Sequence, residues 1–349
     1  MLRSYVIPCG AIGSGPLTPD EDDALTQLVD AISSRVTLVL SRSELRALSA
    51  AIDRLPSRRK RERLQERLAI ECTNAGAGLH VIDGPRKLAA RSMLVKNYLK
   101  MGRVDAVIGG IGVGGELARA TGATRNRLSF LDAARELADL PMDVGLGKVS
   151  QEAELTTLFR PLFRFGDEVV IIDPYLAVEV LRSLHGEPLN DAGMAFIVAT
   201  AAQSGIASTG RLRITLVCCR KQLERELRKL QRRGGSADPK NSVVPKLGAT
   251  LKHLEEILRQ RLCGYASGRG LAPERISVAT KWISETSDRG FVSSSRVWNV
   301  EHSLQSLTAL LNRIRKGKPL PRNKVRLRLL HGDGAEEIRR LVCEALPAC

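Results

Sequence analysis

Short runs of β-branched and aliphatic residues alternate along the chain with longer stretches in which apolar residues return every three or four positions. Thr18-Pro19-Asp20-Glu21 sets a hydroxyl, a proline and acids where a helix begins, and predicts a helix to about Ile32. Residues 35–40 (RVTLVL) have the β-branched character of a buried strand, and Ser41 is placed to cap a helix beginning near Ser43-Glu44. The basic run 57–61 leads into RERLQERLAIE, where Leu64, Leu68 and Ile70 form an apolar face behind a charged, solvated one. Residues 78–83 and 104–108 are further strands, whereas 4–12 is a short apolar segment rich in turn formers. This alternation predicts an α/β domain over residues 1–160, with 141–165 as a connector carrying one helix.

The second half repeats the pattern. Residues 167–172 (DEVVII) form the most regular strand, which must stop at Pro174 because proline donates no hydrogen bond to a ladder and restricts Asp173 before it. Asp173 then stands at the strand's carboxyl end, the edge where open α/β sheets bind ligands, although a carboxylate there can also simply accept backbone N–H bonds. A strand over 211–217, a helix over 221–233, an exposed loop over 232–241 and a helix over about 249–262 follow. Strands at 275–281 and 289–294 are expected to pair as a hairpin, with Asp288 as a turn residue. Residues 324–330 alternate, putting Lys324, Arg326 and Arg328 on one face and Val325, Leu327 and Leu329 on the other, before a last amphipathic helix over 335–346. The expected fold is thus α/β with two α/β domains, 1–160 and 161–349.

Composition narrows the class of protein. At 349 residues, with 43% hydrophobic and 26% charged residues, the chain has the balance of a folded protein with a sizeable core. No apolar run reaches the length of a membrane span and the first residues lack a signal-peptide core, so the expectation is a cytoplasmic protein with no membrane partner. Seven scattered cysteines without a CxxC pair predict free, buried thiols rather than disulfides, and the five histidines form no ligand spacing. No metal and no cofactor is expected.

Charge changes the picture more. The net charge is +16. The segment to Phe165 carries 24 cations and 19 acids, and the remainder 30 and 19, so the excess is mainly C-terminal. From Asn312 to His331 there are eight cations (Arg313, Arg315, Lys316, Lys318, Arg322, Lys324, Arg326, Arg328) and no acid. Such a run can neutralise several phosphates of a nucleic-acid backbone. With aromatic residues at only 3%, a platform for stacking bases is disfavoured and backbone contact is the expected mode. In the first domain, Gly110 to Gly115 spells GxGxxG, but the following helix is short and no strand places an acid at the required later spacing, so a plain turn is the preferred reading.

Asp173-Pro174-Tyr175 after a strand, then Ser287-Asp288-Arg289 and Ser293-Ser294, then His302-Ser303-Leu304, form an ordered set. Together they resemble the phospholipase D-like superfamily in its compact prokaryotic form, over roughly residues 165–310. The resemblance implies a C-terminal domain with a mixed sheet flanked by helices. It also implies a histidine nucleophile that attacks a phosphodiester, with a basic residue two places on to hold the phosphate. Here those places fall on Ser287 and Arg289, with Ser294 at the family's later small or acidic position. Arg289 can hold phosphate. Ser287 lacks a sequence-evident base to activate it, and His302 aligns with the family's downstream His-Ser-Leu, where a histidine can serve as a hydrogen-bonded structural residue. The candidate catalytic residues are therefore Asp173, Ser287, Arg289 and His302, none of them forming a complete set.

The resulting expectation is a pseudoenzyme that binds the backbone of DNA or RNA through Arg289 and the eight cations, as a subunit of a bacterial, phage-defence-type complex, with a homodimer implied by the resemblance because family members pair. An active nuclease and a protein-interaction scaffold are the alternatives. Cleavage with and without EDTA distinguishes the first alternative, and co-purification without nuclease-sensitive material the second.

Overall fold

The computed structural model describes residues 3–7, 15–32, 34–73, 78–82, 88–100, 104–108, 127–139, 143–204, 211–233, 247–286, 289–293, 296–300, 304–318, 325–330 and 332–345. The fold is mixed α/β, with its sheets flanked by helices. The chain divides into two compact units, Met1–Met142 and Asp143–Cys349. Residues 143–160, assigned to the first domain on sequence, thus lie in the second unit.

In the first unit, β1 (Arg3–Val6), α1 (Pro19–Ala31), β2 (Val36–Leu40), α2 (Arg42–Asp53), α3 (Arg58–Thr73), β3 (Leu79–Val81), α4 (Leu88–Lys100), β4 (Ala106–Ile108), β5 (Arg127–Leu128) and α5 (Phe130–Ala138) build a five-stranded sheet of order β3-β2-β1-β4-β5. All four strand pairings are parallel. Parallel sheets built from βαβ units carry helices on both faces, which is why β2 is a continuous buried run, VTLVL. Thr18, Ser41 and Ser129 cap α1, α2 and α5, each in a reciprocal capping box with Glu21, Glu44 or Asp132. The segment read as turn-rich contains the central strand: Ser4, Tyr5 and Val6 are buried between β2 and β4. The glycine motif at 110–115 lies outside the described residues.

The second unit contains β6 (Asp143–Gly145), α6 (Glu152–Phe159), β7 (Glu168–Ile172), α7 (Leu176–Leu184), α8 (Ala192–Ser204), β8 (Leu212–Cys219), α9 (Arg220–Arg233), α10 (Leu247–Ser267), β9 (Ile276–Ile283), β10 (Gly290–Ser293), β11 (Arg296–Val300), α11 (Leu304–Arg315), β12 (Arg326–Leu329) and α12 (Gly332–Ala345). Its seven-stranded sheet has the order β6-β12-β11-β10-β7-β8-β9. β7, β8 and β9 run parallel, and the pairings on the other side of β7 are antiparallel.

This order corrects the expected hairpin. β9 pairs with β8 and β10 with β7, so the two strands read as neighbours stand three places apart. The chain leaves β9 at the carboxyl end of the parallel strands and enters β10 at the same end, where Gly290 aligns with Ile172. The hairpin that does form joins β10 to β11.

One face of the sheet packs an aromatic cluster. Phe291 stacks on Phe163, Phe159 and Trp298 at 5.5, 6.2 and 6.4 Å between centroids, and Phe159 meets Phe196 of α8 edge-on at 5.2 Å. On the other face Ala335 and Ile338 of α12 cover Val170, Ile172, Val217 and Val297. Cys218 and Cys219 are buried free thiols, whereas Cys72 is a free thiol on the surface, contrary to the expectation of burial. No helix among the described residues is long and apolar enough to cross a membrane.

α8 crosses α11 at close range because Gly193 has no side chain. Its N–H donates to Thr308 Oγ1 at 2.8 Å, and a Cβ there would stand 2.6 Å from the Leu304 carbonyl oxygen. Gly193→Ala must separate the two helices, and a loss of about 1–3 kcal/mol is expected from such overpacking. Chemical denaturation of the variant measures it, and an unchanged midpoint would contradict the close crossing.

Candidate functional site

The carboxyl end of β7 gathers three of the residues that matter. β7 stops at Pro174 as expected, and Asp173 folds back so that its Oδ1 accepts the Tyr175 N–H at 2.8 Å, an Asx turn that launches α7. Asp173 is only 3% exposed. Arg289 immediately precedes β10, whose register sets it level with Asp173 although 116 residues separate them in sequence. Its guanidinium carbon lies 5.0 Å from the centre of the Tyr175 ring, where the ring's negative face attracts a cation. Next to it, Gly290 lets β10 lie close against β11: a Cβ there would come within 2.1 Å of the Trp298 carbonyl oxygen, and its φ of 158° suits glycine.

Burial pushes the Asp173 carboxyl above the usual carboxylate range, while the Tyr175 N–H, the Arg289 charge and the Leu176 N–H act in the opposite direction. Its neighbours respond to the same environment. Glu179 on α7 is pushed up by burial and by the Asp173 charge, against the stabilising Gln305 amide that donates to its Oε1. Burial, followed by the Asp173 charge, raises the Cys218 thiol beneath. The site thus holds a cation over an aromatic ring beside a buried carboxyl whose titration is shifted upward.

The sign of the pH dependence follows. Because the folded-state value of Asp173 is raised, the folded chain holds a proton that the unfolded chain releases at pH values between the ordinary and the raised value. Stability should fall as pH rises through that window. Asp173→Asn keeps an oxygen for the Tyr175 N–H, so it is expected to flatten this slope and raise the melting temperature at neutral pH. Melting curves of the full chain across the acidic range check both effects, and an unaltered slope would contradict the assignment.

Chain comparisons were negative. No family model, curated protein or solved structure matches the sequence.

Of the other sequence-predicted residues, Ser287, His302, Arg322 and Lys324 lie outside the described residues, as do Asp288 and Ser294. The remaining cations do not form one patch with Arg289. Arg313 is exposed in the last turn of α11, and Lys316 and Lys318 are exposed just beyond it. Gln305, which touches Glu179, and Arg315 are separated by about 15 Å of helix at about 1.5 Å per residue. Arg315 is engaged by Glu152 in a two-pronged pair at 2.9 and 3.0 Å, which holds the Glu152 carboxyl below its usual range. Arg326, half-buried, and Arg328, exposed, share a face of β12 opposite the buried Val325 and Leu327. The predicted alternation therefore holds there, but β12 is three strands from β7, about 14 Å at about 4.8 Å per strand.

Sequence reasoning missed Glu179, Gln305 and Gly290. Only Gly290 left a signal, as a glycine opening a strand, which marks close backbone approach. Among the described residues no three His, Cys, Asp or Glu side chains converge as a metal ion would require.

Proposed function

We propose that the second unit is a phospholipase D-like scaffold that grips the phosphate backbone of DNA or RNA without cutting it, working in the cytoplasm with protein partners. The observation that carries this reading is the meeting of Arg289 with Asp173 and Tyr175 at the carboxyl end of β7. Arginine presents a planar fork of donors to phosphate oxygens, and the Tyr175 ring restricts where that fork can go. The position two residues before it is Ser287, which has no imidazole to attack phosphorus. Arg313, Lys316, Lys318, Arg326 and Arg328 then add charge at other points along a bound strand, while Arg315 is drawn off by Glu152. Contacts of this kind carry no base information, so low sequence specificity is expected.

The full chain should bind a duplex of about 30 base pairs at low salt, lose affinity steeply as salt rises, and leave the duplex uncut with or without EDTA. Affinity that ignores salt would sink the backbone-binding reading. Cleavage would sink the pseudoenzyme reading.

A further inference from the structure

α9 carries a row of cations that the site at β7 does not use. At about 100° of turn per residue, Lys221, Arg225, Arg228, Lys229 and Arg232 fall within an arc of about 100°, and every residue in that arc is a cation. All five are exposed. Leu223, Leu227 and Leu230 occupy the opposite side of the helix, the first fully buried and the other two half-buried. A charged helix side is usually just solvated, its cations answered by nearby acids. α3 has that arrangement: Arg58 pairs with Glu62, Lys60 with Asp22 and Asp23, and Arg63 and Arg67 with Asp30. Around α9 the acids are engaged elsewhere. Glu226 is buried against Arg182 of α7 and also reaches Lys229, Glu224 holds Arg220 outside the arc, and Glu285 holds Lys221. Among the described residues no acid lies within ion-pair distance of Arg225, Arg228 or Arg232.

We propose that this side of α9 is a second contact surface for a nucleic-acid backbone, a proposal that rests on the function read above but not on Arg289. α9 follows directly on β8, whose carboxyl end lies beside that of β7, so the row begins at the sheet edge that holds Asp173 and Arg289. The three arginines without an acid present the planar donor fork that suits phosphate oxygens. From Arg225 to Arg232 the row covers about 10 Å at about 1.5 Å per residue, the axial rise of about three phosphates of one duplex strand at about 3.4 Å each. An acidic protein is the weaker fit. The centre of a protein interface is poor in charged residues and built on apolar or aromatic ones, and the arc holds only cations. Interfaces with nucleic acid are more polar and much more positive, as this row is.

The test is fluorescence anisotropy of the full chain with duplex DNA across a salt series. A variant carrying Arg225→Gln, Arg228→Gln and Arg232→Gln keeps good helix formers at exposed positions, so its melting temperature should match the wild type. Its slope of log affinity against log salt should drop by about 2.7, about 0.9 for each of three lost contacts, and Arg228→Gln alone should lower it by about 0.9. A control with Arg58→Gln, Arg63→Gln and Arg67→Gln on α3 removes the same charge from cations that acids already hold, and should leave the slope unchanged. An unaltered slope in the α9 variants, or an equal drop in the control, would overturn the surface. So would loss of poly-glutamate binding with duplex affinity kept, which would assign the row to an acidic protein. The two contact regions are read apart: a slope lowered by the α9 variant but not by Arg289→Ala removes the site at β7 and keeps α9, and the reverse removes α9 and keeps Arg289. A wild-type chain without affinity for the duplex would remove both.

Discussion

Phe291→Ala is expected to destabilise the second unit by about 3–5 kcal/mol, the range for truncating a large buried aromatic side chain. Phe291 is fully buried and joins the two ring systems of its face, Phe163 and Phe159 below and Trp298 across the β10–β11 pairing. Removing its ring forfeits both the transferred apolar surface and the packing of three neighbours around a space that β10 cannot collapse to fill. β10 is pinned on its two sides by β7 and β11. Because β10 also sets the height of Arg289, the loss should weaken phosphate binding along with stability. Calorimetry of the full chain should show the second unit's transition displaced and the first unit's unchanged. Loss below about 1 kcal/mol would mean the ring does not join the core as described.

Arg289→Ala should weaken binding to a nucleic-acid backbone by about ten- to a hundredfold at low salt, the magnitude of one charge-assisted contact worth about 1.5–3 kcal/mol. The variant should fold, since the side chain is only partly buried at the sheet's edge. It leaves Asp173 without its neighbouring cation, so the Asp173 carboxyl should rise further. Arg289→Lys keeps the charge but loses the planar fork and its stacking on Tyr175, and should recover only part of the affinity. Removing Arg315 should matter less, because its guanidinium is already held by Glu152.

How far the sequence carried these arguments depended on whether the signal was local. Pro174 ended β7 where expected, and the caps at Thr18 and Ser41 opened their helices where expected, because each effect acts within a few residues. β1, β5 and β6 were not legible. Each has two to four residues, and what makes them strands is the neighbour across the sheet rather than their own pattern. The 275–281 and 289–294 segments were assigned to each other because they are close in sequence with turn residues between. In the folded unit β8 already occupies one side of β9, and β10 finds its hydrophobic register against β7, Phe291 on Ile171 and Val292 on Val170. The meeting of Asp173 and Arg289 was a conjecture from the ordered motifs, and it rests on that pairing. The cation run from 313 to 328 was misleading in the opposite way: contiguous in sequence, it is divided between the end of α11 and a strand far from β7.

The central claim is that Arg289, fixed against Tyr175 beside Asp173, holds a backbone phosphate. Its most direct test is the salt dependence of duplex binding by the full chain, compared between the wild type and Arg289→Ala by fluorescence anisotropy. Each phosphate contact adds about 0.9 to the slope of log affinity against log salt on B-DNA. The account predicts that the slope drops by about 0.9 in the variant and that affinity falls at every salt concentration. An identical slope and affinity in the two proteins would contradict it.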